Sequence, residues 1–459
     1  MPITVTMRDT QLSALGAALF GSAPAEGAAY LLCGRSQADD ELRLLVQDIV
    51  PVRDEHYLVR EPDRLSIDSA SYVAIAKRAA AGGLSVLFAH SHPGGYRAFS
   101  PQDDRQEPRL LDFLAARAPG VPHGALLLPS PTDMLGGVVL PGGARAPIAR
   151  IRVIGERFRF LDGESSAAAI PPFFDRQVRA FGPDIQRLLG RLHIGVVGAG
   201  GTGSGVIEQL ARLGVGKLSL FDGDQLSGSN ATRVHGSGAG DAGQLKVDVA
   251  AAMVARIGFG TSIRRFPKHV THEAVARELR ACDIVFCCTD KQAPRGIVCR
   301  LAVRYYIPVI DRAVVVDSVD GTLRGVDGRV TTLLPGEACL FCRGRISPER
   351  IQAEALPPEL RRRLAAEGYA PELDTEDPAV VAFTTAVASQ AVIELLHRLT
   401  GFMGPERVST EVLLRLHESR MRTNRQPAAV NCLCAERRHW GRGDQTAFLD
   451  LSWPEPAEN

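Results

Sequence analysis

The chain has 459 residues, of which 45% are hydrophobic and 23% are charged, and its formal net charge is +1. This balance gives no general attraction to nucleic acid or to an anionic membrane, and no apolar run approaches the roughly 18–20 residues that cross a bilayer. We therefore expect a cytoplasmic protein of about two to four globular domains that binds neither nucleic acid nor membranes, in which the cysteines are thiols or metal ligands.

Helical and strand patterns alternate over the first 90 residues. Residues 10–20 have the spacing of an amphipathic helix, whereas residues 27–33 and 42–50 are typical of strands. A helix capped by Asp68 follows, and the short apolar run 84–89 predicts a central strand.

Two histidines stand at the end of that strand. His90 and His92 occupy positions i and i+2 of an extended segment, so both imidazoles point to the same side and reach one ion. Asp103, eleven residues further along, can supply a third ligand. Three protein ligands leave an open position for water, which suits a catalytic zinc better than a closed structural site.

The order His-x-His-Pro, then Ser100, then Asp103 resembles the JAMM (MPN/JAB-type) metalloprotease family over about residues 1–150. This resemblance implies that His90, His92 and Asp103 hold Zn²⁺ and that Ser100 stabilises the tetrahedral oxyanion. In that family the substrate is usually an isopeptide bond, or a peptide bond after a ubiquitin-like tail.

The family also has an upstream glutamate that activates the metal-bound water. Glu26 is the natural match because it directly precedes the first apolar strand. Glu26 stands eight positions before Gly34, where the family usually has seven.

A glycine-rich turn begins the second half of the chain. Gly198, Gly200 and Gly203 fit G-x-G-x-x-G between an apolar strand at 192–197 and a helix at 206–213. Such a turn lets backbone N–H groups and a helix N-terminus approach a phosphate closely.

Polar residues after the turn restrict the class of nucleotide that the site can bind. They follow predicted strands or open a helix, and they are Asp222, Asp224, Asn230, Arg233, Lys246 and Asp290. An NAD site needs the turn and one acid about 20 residues on, but it leaves Arg233, Lys246 and Asp290 unexplained. These residues make sense for a triphosphate with Mg²⁺. ATP bound in this way indicates adenylyl transfer onto a carboxylate.

Residues 173–440 resemble the ThiF/MoeB and ubiquitin-activating family. The resemblance implies that Asp222 and Asp224 face the ribose and the metal, and that Asp290 coordinates Mg²⁺. It assigns the phosphate contacts to Asn230, Arg233 and Lys246. Arg176 is expected to reach across a homodimer interface into the partner's ATP site.

Two short cysteine pairs resemble the structural Cys₄ zinc site of the same family. They are Cys339 with Cys342 and Cys432 with Cys434. The second pair is C-x-C where C-x-x-C is usual, so the position of the last ligand is open.

Family members that carry activated protein as a thioester usually have a cysteine in the crossover segment. Here residues 343–378 contain none, and a long helix is expected over about 380–399. Thr375 is either a hydroxyl nucleophile or a cap beside acidic residues. The simpler interpretation is that the chain makes an acyl-adenylate and passes it directly to a conjugating-enzyme-like partner.

The expected architecture is α/β, with a metalloprotease domain joined to a Rossmann-like domain that has a predominantly parallel sheet. The expected bounds are 1–161 for the metalloprotease domain, 162–172 for a linker, 173–445 for the adenylation domain and 446–459 for a C-terminal tail.

These domains predict a bifunctional enzyme that adenylates the C-terminal glycine of a ubiquitin-like protein and trims or removes that protein. Similar fusions occur in bacterial ubiquitin-like conjugation operons, some of them linked to phage defence. Two alternatives stay open: activation and processing of a small sulfur-carrier protein, and a catalytically silent scaffold.

Overall fold

The structure, a computed structural model, describes residues 1–162, 169–357, 359–361, 363, 367, 378–405, 407 and 409–453. These residues form two compact units. The first unit contains residues 1–162, 304–306 and 437–447, and the second contains the other described residues. Segment 437–447 therefore belongs to the first unit, although most of it was expected in the adenylation domain. Of the expected linker, residues 163–168 lie outside the described part, and the domain bounds stay predictions.

The first unit is built mainly of strands. Its described strands are β1 (Ile3–Arg8), β2 (Ala28–Ala38), β3 (Glu41–Pro51), β4 (Tyr57–Arg60), β5 (Leu65–Ile67), β6 (Ser85–Ser91), β7 (His123–Ser130), β8 (Asp133–Val139), β9 (Arg145–Ile154) and β10 (Arg159–Asp162). Its described helices are α1 (Asp9–Phe20), α2 (Ser69–Gly82) and α3 (Asp103–Arg117).

Eight of these strands form one sheet in the order β1–β3–β2–β6–β7–β8–β9–β10, and β4 pairs with β5 separately. β1 also pairs with β9, so the sheet closes on itself. β6 lies inside the sheet between β2 and β7, as expected for a central strand. It continues to Ser91, beyond the predicted end at residue 89, because His90 and Ser91 still pair with β7.

Alternate residues of β2 supply two cores, one on each face of the sheet. One core combines β2 with the apolar side of α1 and includes Leu12, Leu15, Leu19, Ala29, Leu31 and Cys33. The other combines β2 with α2 and α3 and includes Ala28, Tyr30, Leu32, Ile75, Ala79, Leu111 and Leu114. Helices thus cover both faces, which explains why β2 is a nearly continuous apolar run.

The second unit contains the predicted Rossmann-like elements. Its described helices are α4 (Asp175–Phe181), α5 (Pro183–Leu189), α6 (Gly201–Arg212), α7 (Lys246–Ile257), α8 (Glu273–Glu278), α9 (Gln292–Arg304), α10 (Pro348–Glu354) and α11 (Val381–Thr400). Its described strands are β11 (His193–Val197), β12 (Lys217–Phe221), β13 (Ser262–Phe266), β14 (Ile284–Cys287), β15 (Val309–Val319), β16 (Thr322–Leu333), β17 (Glu411–Arg415) and β18 (Arg420–Asn424).

These strands form a second sheet in the order β13–β12–β11–β14–β15–β16–β17–β18. Every pairing from β13 to β15 is parallel, and the pairings from β15 to β18 are antiparallel. The predicted mixed α/β architecture with a mostly parallel sheet is therefore confirmed. The antiparallel extension at one edge was not predicted. Among the described residues, no helix combines the length and apolarity needed to cross a bilayer.

Candidate active sites

Strand pairing brings Glu26 opposite His92. In the antiparallel pair of β2 and β6, Ala28 faces His90, so the residues two positions further out, Glu26 and His92, also face each other. Glu26 Oε1 lies 3.6 Å from His92 Nε2, and both side chains are buried. The Glu26 backbone is fixed by an N–H bond of 3.0 Å to the carbonyl of Glu61.

Asp103 is the first residue of α3, and the preceding loop orients its carboxylate. Its Oδ2 accepts the Ser100 N–H at 2.7 Å, and Ser100 Oγ accepts the Asp103 N–H at 3.2 Å. Asp103 lies 3.5 Å from His90 Nε2 and 3.4 Å from His92 Nε2. His92 Nδ1 is 3.1 Å from the Tyr96 carbonyl. A proton on Nδ1 would occupy that bond and leave Nε2 as a ligand atom.

Burial and mutual charge shift the pKa values in this cluster. Burial raises the pKa of Glu26 to about 7, against a lowering effect of His92. Burial would also raise the pKa of Asp103, but the interactions of its carboxylate with His90 and His92 outweigh that effect and hold this pKa well below its usual range. Burial would lower the pKa of His92, yet the hydrogen bond with Asp103 raises it.

The donor set fits a zinc ion. His90, His92 and Asp103 each offer one ligand atom, and these atoms lie within 4.8 Å of one another. Both ring nitrogens of His90 are buried and have no hydrogen-bond partner among the described residues. A buried imidazole without a partner is costly, and a metal ion would satisfy it. Two imidazoles and one carboxylate are ligands typical of catalytic zinc.

The glycine-rich turn joins β11 to α6 with very little space. Gly198 has a positive φ of 93°, and a Cβ there would lie 2.7 Å from the Cys288 carbonyl oxygen. A Cβ on Gly203 would lie 1.9 Å from the Gly198 carbonyl oxygen. A Cβ on Gly200, in contrast, would meet no atom of the described residues within 4 Å. The turn is thus tight on the protein side and open beside Gly200, as a phosphate cradle requires.

Asp222 ties this turn to the end of β12. Its Oδ2 accepts the Ala199 N–H at 2.7 Å, and its Oδ1 accepts the Asp224 N–H at 2.9 Å. Burial raises the pKa of Asp222, and the nearby Lys246 opposes that shift. Both carboxylate oxygens of Asp222 therefore accept hydrogen bonds from backbone N–H groups, and one of these groups, that of Ala199, belongs to the glycine turn.

Lys246 and Arg233, two of the predicted phosphate contacts, lie close to the acids after β12 and to the glycine turn, respectively. Lys246, at the start of α7, is buried and places its Nζ 2.7 Å from Asp224 Oδ2. His269 Nε2 lies 3.4 Å from the same carboxylate. The side chain of Arg233 packs against Gly201, where a Cβ would meet its Cγ at 3.1 Å. The predicted phosphate contacts Arg233 and Lys246 therefore flank the turn from different segments.

Three other predicted residues stand apart from these contacts. The backbone carbonyl of Asn230 accepts the Arg233 N–H at 3.0 Å and so stabilises a turn. Asp290, after β14, and Arg176, on α4, are both exposed. Neither side chain forms a hydrogen bond or ion pair within the described part of the chain. Their assignments to Mg²⁺ and to a partner subunit stay predictions.

The four predicted cysteines meet in one place. Cys339 Sγ lies 3.8 Å from Cys342 Sγ and 3.5 Å from Cys432 Sγ, and Cys342 Sγ lies 3.5 Å from Cys434 Sγ. The thiols are not disulfide-bonded. Sulfur ligands about 2.3 Å from zinc in a tetrahedron are roughly 3.8 Å apart. The set, Cys434 of the C-x-C pair included, has the spacing of a zinc site.

Two residues that contact the predicted site residues could not be identified from the sequence. His269 approaches Asp224 from a loop after β13, and the Tyr96 carbonyl orients His92, but neither residue belongs to a motif of unusual spacing. Thr375, the predicted hydroxyl nucleophile or cap, lies outside the described residues.

Comparisons with known proteins identify both halves of the chain. Residues 174–435, more than half of the chain, match the ThiF family. Residues 10–134 match the prokaryotic homologues of the JAB domain.

Similar proteins support the first of these matches. Protein HesA of Leptolyngbya boryana is 28% identical over 276 residues, which cover 59% of this chain and 88% of HesA. The SAMP-activating enzyme E1 of Haloferax volcanii is 31% identical and covers 37% of this chain, which spans 59% of that enzyme. The molybdopterin-synthase adenylyltransferase of Escherichia coli is 31% identical, covering 38% of this chain and 69% of that protein. The chain therefore belongs to the ThiF family and joins a JAB-type metallopeptidase domain to an E1-like, ATP-using adenylyltransferase domain.

Proposed function

We propose that the chain is a bifunctional enzyme of a ubiquitin-like modifier pathway. Its ThiF domain adenylates the C-terminal carboxylate of a ubiquitin-like protein, and its JAB domain cleaves the bond after the same tail. The observation that carries the proposal is the presence of both domains in one chain. A relative named for activating SAMP supports a protein tail as the carboxylate.

The residues around the glycine turn suit adenylyl transfer. The turn and the N-terminus of α6 would hold phosphates beside Gly200, and Lys246 and Arg233 would neutralise their charge. Asp290 would hold Mg²⁺, which supplies further charge neutralisation on the phosphates. The tail carboxylate attacks the α-phosphorus, the bond to the β-phosphate oxygen breaks, and pyrophosphate leaves.

The residues of the JAB domain suit hydrolysis of an amide. His90, His92 and Asp103 would hold Zn²⁺, which activates water and polarises the carbonyl when bound. Glu26, with its pKa raised to about 7, takes a proton from water and gives it to the leaving amine. Because Ser100 Oγ accepts the Asp103 N–H, its own proton is available to an oxyanion.

Adenylation is tested by pyrophosphate exchange. We expect ATP–pyrophosphate exchange with a ubiquitin-like protein that ends in Gly-Gly, and none with the same protein lacking the last glycine. Asp290→Ala should abolish the exchange, whereas Asp317→Ala, an exposed acid on β15 of the same sheet, should leave it unchanged. Exchange that survives Asp290→Ala would remove the metal assignment.

Peptidase activity is tested on a linear fusion that extends the Gly-Gly tail. Cleavage should end with Asp103→Ala or after chelation, and cleavage that survives both would exclude the metal mechanism. Asp104→Ala, which changes the neighbouring acid on α3, should cleave normally.

Sulfur-carrier activation is the second candidate, because one similar protein is a molybdopterin-synthase adenylyltransferase. In that case the adenylated tail would become a thiocarboxylate when a sulfur donor is supplied. Mass spectrometry of the carrier protein distinguishes that product from an ester or amide. Arg176 at a homodimer interface and a conjugating-enzyme-like acceptor belong to the modifier proposal.

A further inference from the structure

Three side chains form a hydrogen-bonded chain outside the residues discussed above. Glu208 lies on α6, His235 lies in the loop before α7, and Thr385 lies in the second turn of α11. His235 Nδ1 is 2.8 Å from Glu208 Oε2, and His235 Nε2 is 2.9 Å from Thr385 Oγ1. The order is hydroxyl, imidazole, carboxylate, which is the arrangement of an activated nucleophile with its base and orienting acid.

The carboxylate fixes which ring nitrogen of neutral His235 carries the proton. Burial would raise the pKa of Glu208, but hydrogen bonds from His235 and Arg212 lower it. Ionised Glu208 can only accept a hydrogen bond, so Nδ1 of His235 is the donor. In the neutral imidazole the lone pair on Nε2 then faces Thr385, whose hydroxyl donates to it. This is the tautomer that a general base requires.

The three side chains meet beside α6, the helix that begins at the glycine turn. The His235 N–H donates to Ser204 Oγ at 2.9 Å, and a Cβ on Gly205 would lie 3.3 Å from His235 Nε2. Arg233, two residues before the histidine, packs against Gly201. His235 therefore sits within about one helical turn of the N-terminus that faces the predicted phosphates. Its side chain is 21% exposed, which leaves it open to a substrate.

Thr384, the neighbour of Thr385 on α11, makes no such contact with a histidine in the described part of the chain. Thr384 Oγ1 donates to the carbonyls of Val380 and Val381, at 3.4 and 3.0 Å, within the first turn of α11. Thr385 Oγ1 instead bonds to a histidine 150 positions away. Thr385 also lies seven positions after the end of the crossover segment 343–378, in which the sequence has no cysteine.

We propose that Thr385 is a nucleophile that receives the activated acyl group as an oxyester. The proposal rests on the adenylating function proposed above. Thr385 Oγ1 attacks the carbonyl carbon of the acyl-adenylate and forms an ester bond. The bond between the acyl carbon and the phosphate oxygen breaks, and AMP leaves with its electron pair. The hydroxyl proton moves to His235 Nε2, and Glu208 stabilises the imidazolium. A primary amine of the acceptor protein then attacks the ester carbonyl and forms an amide, losing one proton to solvent, while the bond between the acyl carbon and Thr385 Oγ1 breaks and Oγ1 takes back its proton from His235 Nε2.

The test supplies the adenylate directly, so that it does not depend on ATP use. The full chain is mixed with synthetic N-acetyl-glycylglycyl adenylate, quenched, and analysed by intact and peptide mass spectrometry. We expect one acyl group on the peptide that contains Thr385, removable by hydroxylamine. Acylated lysines are amides and resist hydroxylamine, so the two products are distinguished.

Variants separate catalysis from a role in holding α6 against α11. Thr385→Val should lose the ester, Thr385→Ser should keep it, and Thr384→Val should behave as wild type. His235→Gln should slow ester formation about 10²- to 10⁴-fold. Thermal unfolding of each variant shows whether it is folded. A wild-type chain without a hydroxylamine-sensitive ester, or an ester that persists in Thr385→Val, overturns the proposal.

Different results would refute the proposed adenylating function and the proposed role of Thr385 as a nucleophile. Pyrophosphate exchange without any ester on Thr385 would overturn the nucleophile alone. An ester formed from the synthetic adenylate, without pyrophosphate exchange on any Gly-Gly protein, would instead remove the adenylating function.

Discussion

The bonds made by Asp222 predict a loss of ATP affinity in Asp222→Asn. The carboxylate accepts N–H bonds from Ala199 in the glycine turn, at 2.7 Å, and from Asp224, at 2.9 Å. An asparagine has one acceptor oxygen, so it can keep only one of these bonds. Its amide nitrogen would face the other N–H group, which would then lack an acceptor.

The magnitude follows from the charge of the lost acceptor. A hydrogen bond to a charged group contributes about 1.5–3 kcal/mol. The free turn can relax after the substitution, whereas the bound turn has to keep its N–H groups in position, so most of the cost falls on ATP binding. We therefore expect the Kd for ATP to rise about 10- to 150-fold.

Calorimetric titration with ATP and with 2′- and 3′-deoxy-ATP measures this effect. If Asp222 acts by holding the turn, removal of either ribose hydroxyl weakens wild type and Asp222→Asn by the same factor. Asp283→Asn is the matched control, because Asp283 also accepts a backbone N–H, from His193 at 2.9 Å, but at the start of β14. A change in Kd below about threefold, or a hydroxyl effect that disappears in Asp222→Asn, would refute the argument.

Two further predictions concern buried charge and zinc. Asp311 is fully buried between Arg295 Nε at 3.3 Å and Arg329 Nη2 at 2.9 Å, so Asp311→Asn should lower the free energy of unfolding by about 3–5 kcal/mol. Urea unfolding of this variant and of Asp317→Asn, at an exposed site on the same strand, measures the difference; equal values contradict it. Cys434→Ser should reduce zinc content, measured by plasma mass spectrometry, from two ions per chain to one, because the described residues contain two candidate metal sites. An unchanged zinc content would contradict the cysteine assignment.

Local spacing is enough to predict the most compact parts of both sites. His90 and His92 are two positions apart, and Gly198, Gly200 and Gly203 lie in one turn, so their geometry depends on short stretches of backbone. The approach of Glu26 to His92 depends on the register between β2 and β6, which the sequence leaves open.

Contacts between distant segments could not be predicted in the same way. Thr385 meets a histidine 150 positions away, and no periodicity links the two. The bonds of Asp222 to the glycine turn depend on how closely β11 and β12 pair. The antiparallel strands β16 and β18 were missed because glycines or charged residues interrupt their apolar pattern, and β17 was missed because its apolar run is only three residues long.

The central claim is that both domains act on one protein tail. The most direct measurement is ATP–pyrophosphate exchange with a ubiquitin-like protein whose Gly-Gly end is extended by a short peptide. We expect wild type to show exchange after a lag, because the JAB domain first exposes the tail. Glu26→Gln should show no exchange with the extended protein and normal exchange with the trimmed one. Exchange by Glu26→Gln on the extended protein would contradict the account. So would an absence of exchange on the trimmed protein with both wild type and Glu26→Gln.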